Sequence, residues 1–451
     1  MHQSLHRFVI YMAAALAWCS ASAQAQSLRE LHKTAHGYDA AYQSALAQVR
    51  ASQAHSDQAL AGLLPQLALQ AGAQHNSQSL QVSSLGGNRS NYDVLSSSLN
   101  GSQPLYRPAT RITWDQGKKQ VEAAQVQLNG AEQDLIVRLS QAYFDVLTAE
   151  DALRFVRSLK VAVAKQLESA KRNFEHGNAT ITDSREAQAR FDLALAQEIS
   201  AQNDLRVKKL VLDQTVGQAD SQPLALAQPI VLPVPQPDDV QVWVDRALDQ
   251  HPLVVQNRMA LDIARMETTK AKTGHLPTMD LQVSFGQTHY PQGNPTLSVA
   301  PGSNYHYRAT AASVGVALNW PLFAGFAVES RVRETLALED KARAELDSVQ
   351  RTVSQATQTA FFDVQSGLSQ VKALETAEQS SLTSLKANQI SYQVGVRINI
   401  DVLNAESQLY QTRRDLSRAR YDVLMGLLRL KQASGVLQAD DLLPIDRLLA
   451  N

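Results

Sequence analysis

The chain has 451 residues, a formal net charge of −1 and a single cysteine. That is long for one compact domain, and a near-neutral balance gives no electrostatic reason to expect a nucleic-acid partner. One cysteine excludes a disulfide framework. No run of about 18 apolar residues follows the N-terminal segment, which excludes a helical inner-membrane transporter but not a β-barrel, whose strands leave a weaker trace.

The N-terminal segment reads as a secretory signal. "MHQSLHR" is a short basic region, "FVIYMAAALAW" an apolar run too short to cross a bilayer, and "CSASAQAQ" a small-residue segment. Cleavage is expected after Ala23, with Ala25 as the other small-residue site. Cys19 follows bulky Trp18, where a lipoprotein peptidase wants a small residue, so it is assigned to the removed signal. The exported chain is then free of cysteine and cannot rest on disulfides.

A first unit covers 26–217. It opens with a helix from about Leu28 to Gly62 and a strand at about 63–76, where Leu67, Leu69, Ala71 and Ala73 alternate with Gln66, Gln70 and Gln74. A polar loop leads to a serine-rich strand at about 92–106. A helix over 110–175 follows, about 99 Å long at the α-helical rise. A turn containing Gly177 and a return helix over 180–216 close the unit. The segment 218–239 carries five prolines, which deny a helix, and is read as a linker between the two units.

A second unit, 240–435, repeats the order: helix, strands at about 275–289 and 305–322, a helix over 327–393, a turn at Gly395, a return helix over 399–434. A segment 436–451 ends the chain. "AYFDV" at Tyr143 and "AFFDV" at Phe361 stand 218 residues apart, and the same offset pairs Gly177 with Gly395, Asp183 with Asp401 and Gly217 with Gly435. The chain is therefore an internal duplication and not a short-period solenoid. Both long helices carry a heptad seam: Ala142, Val146, Ala149, Leu153, Val156, Lys160, Val163, Leu167, Ala170 and Phe174 in the first, with Lys160 matched by Glu378 in the second.

The strands of about ten residues, apolar on one face and polar on the other, suit a soluble sandwich or a tilted membrane barrel. Tyr290, Tyr305 and Tyr307 on the loop side, with Trp320 and Phe323 on the helix side, stand where a lipid interface would want aromatics. Four strands cannot close a barrel, and an open edge cannot exist in lipid, so the barrel reading demands an oligomer.

"LLPQL", "HLPTMDL", "WPLFAGF", "SYQVGVRINIDVLNAESQLY" and the terminal "ADDLLPI" resemble the TolC family of outer-membrane efflux and type I secretion channels, in order and over essentially the whole exported chain. The resemblance implies a mainly α fold with a membrane β-barrel: a homotrimer in which three chains build one 12-stranded barrel, continued by an α-helical coiled-coil tunnel across the periplasm. It implies an outer-membrane location, a periplasmic adaptor (membrane fusion) protein, and an inner-membrane ABC or resistance-nodulation-division pump as partners. The function implied is a passive exit duct for small toxic compounds, for secreted proteins, or for both. The alternative is a periplasmic coiled-coil scaffold or adhesion protein with a soluble β domain.

The resemblance also assigns roles at the two turns. Tyr392 and Arg397 on one turn and Asp183 with Thr182 on the other match the family's periplasmic gate latch. Asp401 matches one of the acidic entrance rings, and Asn404 stands where the family places the aspartate of a second ring. Gly177 and Gly395 match the tip turns. Read from the residues alone, the glycines are helix C-caps, and Asp183 and Asp401 lie in the first helical turn, where a carboxylate meets the positive dipole end. Arg397 runs against that dipole and needs a partner.

His32 and His36 stand i, i+4 but lack a third ligand, so a solvated helix face is expected, with no metal and no cofactor. The run "RRDLSRAR" from Arg413 is expected to be an outward face with carboxylate partners. The sequence contains neither a nucleophile motif nor a phosphate loop, so an enzyme is not expected.

Overall fold

The structure is a computed structural model. It describes residues 26–82, 86–177, 180–227, 230–292 and 306–449, of which 80–82 and 86–90 by their backbone alone. The signal segment with Cys19, and Tyr305 among the expected interface aromatics, lie outside the described residues. In chain order the elements are α1 (Leu28–Tyr38), α2 (Ala40–Ala61), β1 (Gln66–Val82), β2 (Gly86–Tyr106), α3 (Pro108–Glu175), α4 (Ile181–Val216), α5 (Val240–Gln250), α6 (Pro252–Lys272), β3 (Thr278–Tyr290), β4 (Tyr307–Asn319), α7 (Ala327–Gln393), α8 (Asn399–Ala433) and the short α9 (Leu443–Asp446). At 68 and 67 residues, α3 and α7 each rise about 100 Å. They run through both of the compact units into which the chain divides.

One unit, Ala47–Gln125 with Gln256–Asp347, holds the sheet. Its four strands are antiparallel in the order β1-β2-β3-β4, so β1 and β4 are edges. The register sets Leu69, Leu99, Phe285 and Ala312 in one row across the sheet, and Leu67, Gly101, Val283 and Val314 in the row two residues away on the same face. Leu69 is 76% exposed and Val314 74%. The opposite face is polar, with the Asn100 amide donating to Gln70 Oε1 at 3.3 Å and the Ser284 and Ser313 hydroxyls 2.8 Å apart.

The first hairpin is longer than expected, because Asn76–Val82 pairs with Gly86–Tyr92, where a loop is read from the sequence. Ladder bonds depend on backbone and not on side-chain polarity, so a polar stretch can extend a strand wherever water serves its side chains. β4 ends at Asn319, short of the expected 322, before Pro321, which has no N–H to donate. Tyr92, Tyr290 and Tyr307 form a row of mutually tilted rings with centroids 6.2 and 5.7 Å apart. Trp320 donates its indole N–H to the His275 carbonyl at 3.2 Å, and Phe323 meets Phe326 edge to face. Arg107 fixes the base of β3 with two bonds of 2.7 Å to Asp280.

The other unit is helical and holds the deepest core, including Leu28, Leu31, Leu135, Ile136, Tyr143, Phe144 and Leu424. The seam of α3 is buried at Val146, Ala149, Val163 and Ala170, but Phe174, expected to end it, is 43% exposed. The two charges in the seams are not buried alone. Lys160 and Arg157 both bind Glu198 on α4, and Glu378 accepts from Arg413 on α8 at 2.8 Å. The duplication keeps the pairing and exchanges the signs. Glu198 is held below the ordinary carboxylate range by hydrogen bonds from Lys160 and then Arg157.

The expected single helix from Leu28 to Gly62 is two. Asp39 ends α1 and caps α2, accepting from the Tyr42 amide at 2.8 Å and from Arg138 at 2.9 Å. In the second copy Pro252 makes the same break between α5 and α6. Gly217 and Gly435 explain why the breaks are shared. Each stops a return helix at positive φ, and a Cβ on Gly217 would lie 2.3 Å from the Tyr38 ring, while one on Gly435 would lie 2.5 Å from the His251 backbone. The proline-rich segment packs as well: buried Tyr143 donates its hydroxyl to the Leu224 carbonyl at 3.1 Å, and Trp243 donates to the Pro237 carbonyl at 2.9 Å. From the C-terminal segment, Asp446 accepts the Leu28 amide at 3.0 Å and so caps α1.

The i, i+4 histidine pair departs from expectation. His32 is buried, with Nε2 lacking a partner, and burial holds its pKa below the usual histidine value, with His36 adding to the effect. His36 packs instead on Tyr42, centroids 4.1 Å apart. The signal was in the sequence, since Leu28, Leu31, His32 and Ala35 stand at i, i+3, i+4 and i+7 and so share the buried face of α1.

Gly217→Ala should destabilise the helical unit by about 1–3 kcal/mol through its left-handed backbone and its collision with Tyr38. Adding Tyr38→Ala should recover only part of the loss, since it relieves the collision and not the backbone. Thermal midpoints of the two variants decide this, and full recovery would assign the whole cost to the ring.

Candidate functional site

The two turns that follow the long helices carry the residues singled out from the sequence. Gly177 and Gly395 both take positive φ, +75° and +79°, with open space where a Cβ would stand. Backbone conformation alone therefore selects glycine there. At the second turn the Val396 amide donates to the Ser391 carbonyl at 2.9 Å and the Gly395 amide to the Tyr392 carbonyl at 3.0 Å, closing α7 in the left-handed manner.

At the first turn Asp183 completes a capping box. It accepts from the Thr180 amide at 3.1 Å, while Thr180 Oγ1 accepts from the Asp183 amide at 3.3 Å. Thr182 is exposed beside it. At the second turn Arg397 donates to Asp401 at 3.4 Å, one helical turn away, with 57% of its side chain exposed. Such an exposed i, i+4 pair is worth about 0.3–0.5 kcal/mol. Tyr392 reaches the other copy, where its hydroxyl accepts from Asn173 on α3 at 3.2 Å. Within one chain, then, the structure brings Arg397 to Asp401 and Tyr392 to Asn173, and it does not bring either to Asp183.

Asn404 also reaches across the copies, accepting from the Arg190 guanidinium on α4 at 3.0 Å. Below it Val163, Leu167 and Ala170 of α3, Ala187 of α4 and Leu403 of α8 form one buried cluster. The basic run of α8 finds carboxylates, but only part of it faces outward: Arg414 meets Asp415 and Arg418 meets Asp422 on the exposed side, whereas Arg413 and Arg420 turn to Glu378 and Glu375 of α7, each at 2.8 Å.

Two residues were missed. Asn399, at the start of α8, is buried with neither amide atom partnered. Glu406 is 5% exposed and lines a cleft of about 760 Å³ beside Tyr392, Gln389, Tyr410, Arg157 and Lys165. Its Oε2 has no partner, and burial pushes its carboxyl up to about 7, against a hydrogen bond from Gln389 that lowers it. The signal existed in the sequence, since Glu406 stands three residues from both Leu403 and Leu409 and so lies on the apolar face. Arg190 and Asn173 left no comparable trace.

The neutral acid is the form that packs. Stability from Glu406 is therefore present in acid and is lost as pH rises through about 7. Wild-type protein should melt lower at pH 8 than at pH 6 by a margin that Glu406→Gln abolishes; parallel pH profiles for the two proteins would mean that Glu406 does not titrate in this range.

The family model described as "Outer membrane efflux protein" matches residues 19–218 and 243–436. Outer membrane protein TolC of Vibrio cholerae serotype O1 is 31% identical over 439 residues, covering 97% of each chain. Alkaline protease secretion protein AprF of Pseudomonas aeruginosa is 32% identical over 355 residues, 78% of this chain and 72% of that one. Among solved structures, the outer membrane protein VceC of Vibrio cholerae superposes with a TM-score of 0.76 at 20% identity, covering 90% of this chain and 96% of that one.

Proposed function

The chain belongs to the outer membrane efflux protein family, and from that premise we propose that three copies form one 12-stranded barrel in the outer membrane, continued by a helical periplasmic tunnel. The observation that carries this reading is the sheet. Its apolar face is exposed, and its edges β1 and β4 have no neighbour among the described strands. A soluble β domain, as in the scaffold alternative, would cover that face. A lipid-embedded sheet must instead pair both edges, and identical copies can do so by closing edge to edge. No helix among the described residues is long and apolar enough to cross a membrane.

The duct is passive, opened by a periplasmic adaptor working with an inner-membrane pump. Its cargo is small toxic compounds, passed by a resistance-nodulation-division pump, or proteins, passed by an ABC exporter. The second is favoured by a relative named for secretion of a protease. At the turns, Tyr392 and Arg397 of one chain hold Asp183 and Thr182 of a neighbour as the latch. The weakness of the Arg397–Asp401 pair supports this, since it leaves the guanidinium exposed and free to exchange partners. Asp401 supplies the one acidic ring.

Leu69→Arg places a charge on the proposed lipid face and should cost about 2–4 kcal/mol at mid-membrane. Outer-membrane fractionation should then find less heat-modifiable trimer, whereas Asn100→Arg on the polar face should leave it unchanged. Wild-type protein that stays monomeric and soluble without detergent would defeat the barrel.

Tyr392→Phe combined with Arg397→Ser should raise single-channel conductance in planar bilayers. Conductance equal to wild type would remove both residues from the latch.

A further inference from the structure

We propose that the cleft between α3, α4 and α8 is a binding site for a small organic anion with an apolar body, such as an aryl or alkyl sulfonate or carboxylate, held by the Arg190 guanidinium. The cleft encloses about 270 Å³, near the lower end of small-molecule sites. Its lining combines apolar Val156, Leu159 and Val163 with polar Arg190, Ser407 and Gln411. No carboxylate lines it. The second arginine of the lining, Arg414, is matched by Asp415 at 3.0 Å. Arg190 has only the neutral Asn404 carbonyl, at 3.0 Å, and no carboxylate within ion-pair distance among the described residues.

A guanidinium has five donors in a planar fork, and one amide oxygen occupies a single one of them. A sulfonate or carboxylate would take two in parallel, the strongest form of this contact. The apolar lining gives the ligand's body somewhere to leave water. An inorganic anion would use only the guanidinium, and a neutral ligand only the apolar side chains. Asn404 is what keeps the site open, because an aspartate at that position would neutralise Arg190 and occupy the donors the ligand needs.

The inference concerns binding within one chain and stands apart from the barrel reading, so its failure would leave that reading untouched. The test is calorimetric titration of the purified full chain in neutral detergent with 1-naphthalenesulfonate. Wild-type protein should bind it saturably, and Arg190→Gln should weaken binding about tenfold or more. Asn404→Asp should weaken it similarly, and Ser407→Trp, which fills the cleft while leaving Arg190 in place, should abolish it. Undiminished affinity in Arg190→Gln would overturn the proposal. So would equal affinity for 2-naphthalenemethanol, or displacement of the sulfonate by inorganic sulfate at equal concentration.

Discussion

The outer edges of β1 and β4 each present a row of backbone N–H and C=O groups that no described strand pairs. In water such an edge is served by solvent. In hydrocarbon each unpaired group costs several kilocalories. The exposed row of Leu69, Leu99 and Phe285 removes the aqueous option for this sheet, because water is as poor a neighbour for that face as lipid is for the edges. Closure against further strands satisfies both demands in lipid. The proposed barrel and oligomer rest on that one conflict between side chains and backbone.

The helices answer a different constraint, which is to hold a length. A helix of 68 residues gains little from intrinsic propensity and is kept by burial along one seam. Small residues such as Ala149 and Ala170 let neighbouring backbones approach, and the few charges admitted to the seam arrive already paired. The exchange of Lys160–Glu198 for Glu378–Arg413 between the copies illustrates what duplication conserves. The seam charge keeps an opposite partner on the return helix in each copy, while the residue supplying each sign is free to change. The matched breaks at Asp39 and Pro252 follow the same logic, since different residues end the helices at places where Gly217 and Gly435 need room.

At the turns, contacts within a chain are weak or purely local. Asp183 caps its own helix, and Arg397 reaches one turn along α8. These are contacts that a neighbour could replace at little cost, as the proposed latch requires. Asn404 contributes differently. By accepting from Arg190 instead of repelling other carboxylates, it turns a position of expected negative charge into the neighbour of an uncompensated cation.

The duplication, the order of helices and strands and the two-faced sheet were legible in the sequence, because periods of two and three to four, together with left-handed glycines, are local properties of the backbone. The charged position on the apolar face of α8 was equally visible at Glu406 and was passed over. Other features belonged to tertiary structure alone. The break at Asp39 depends on Tyr38 meeting Gly217, and the partners of Tyr392 and Asn404 on residues some 200 positions away. Periodicity specifies which face of an element is buried. It carries no record of which distant side chain will stand opposite, since that is decided only when the elements pack.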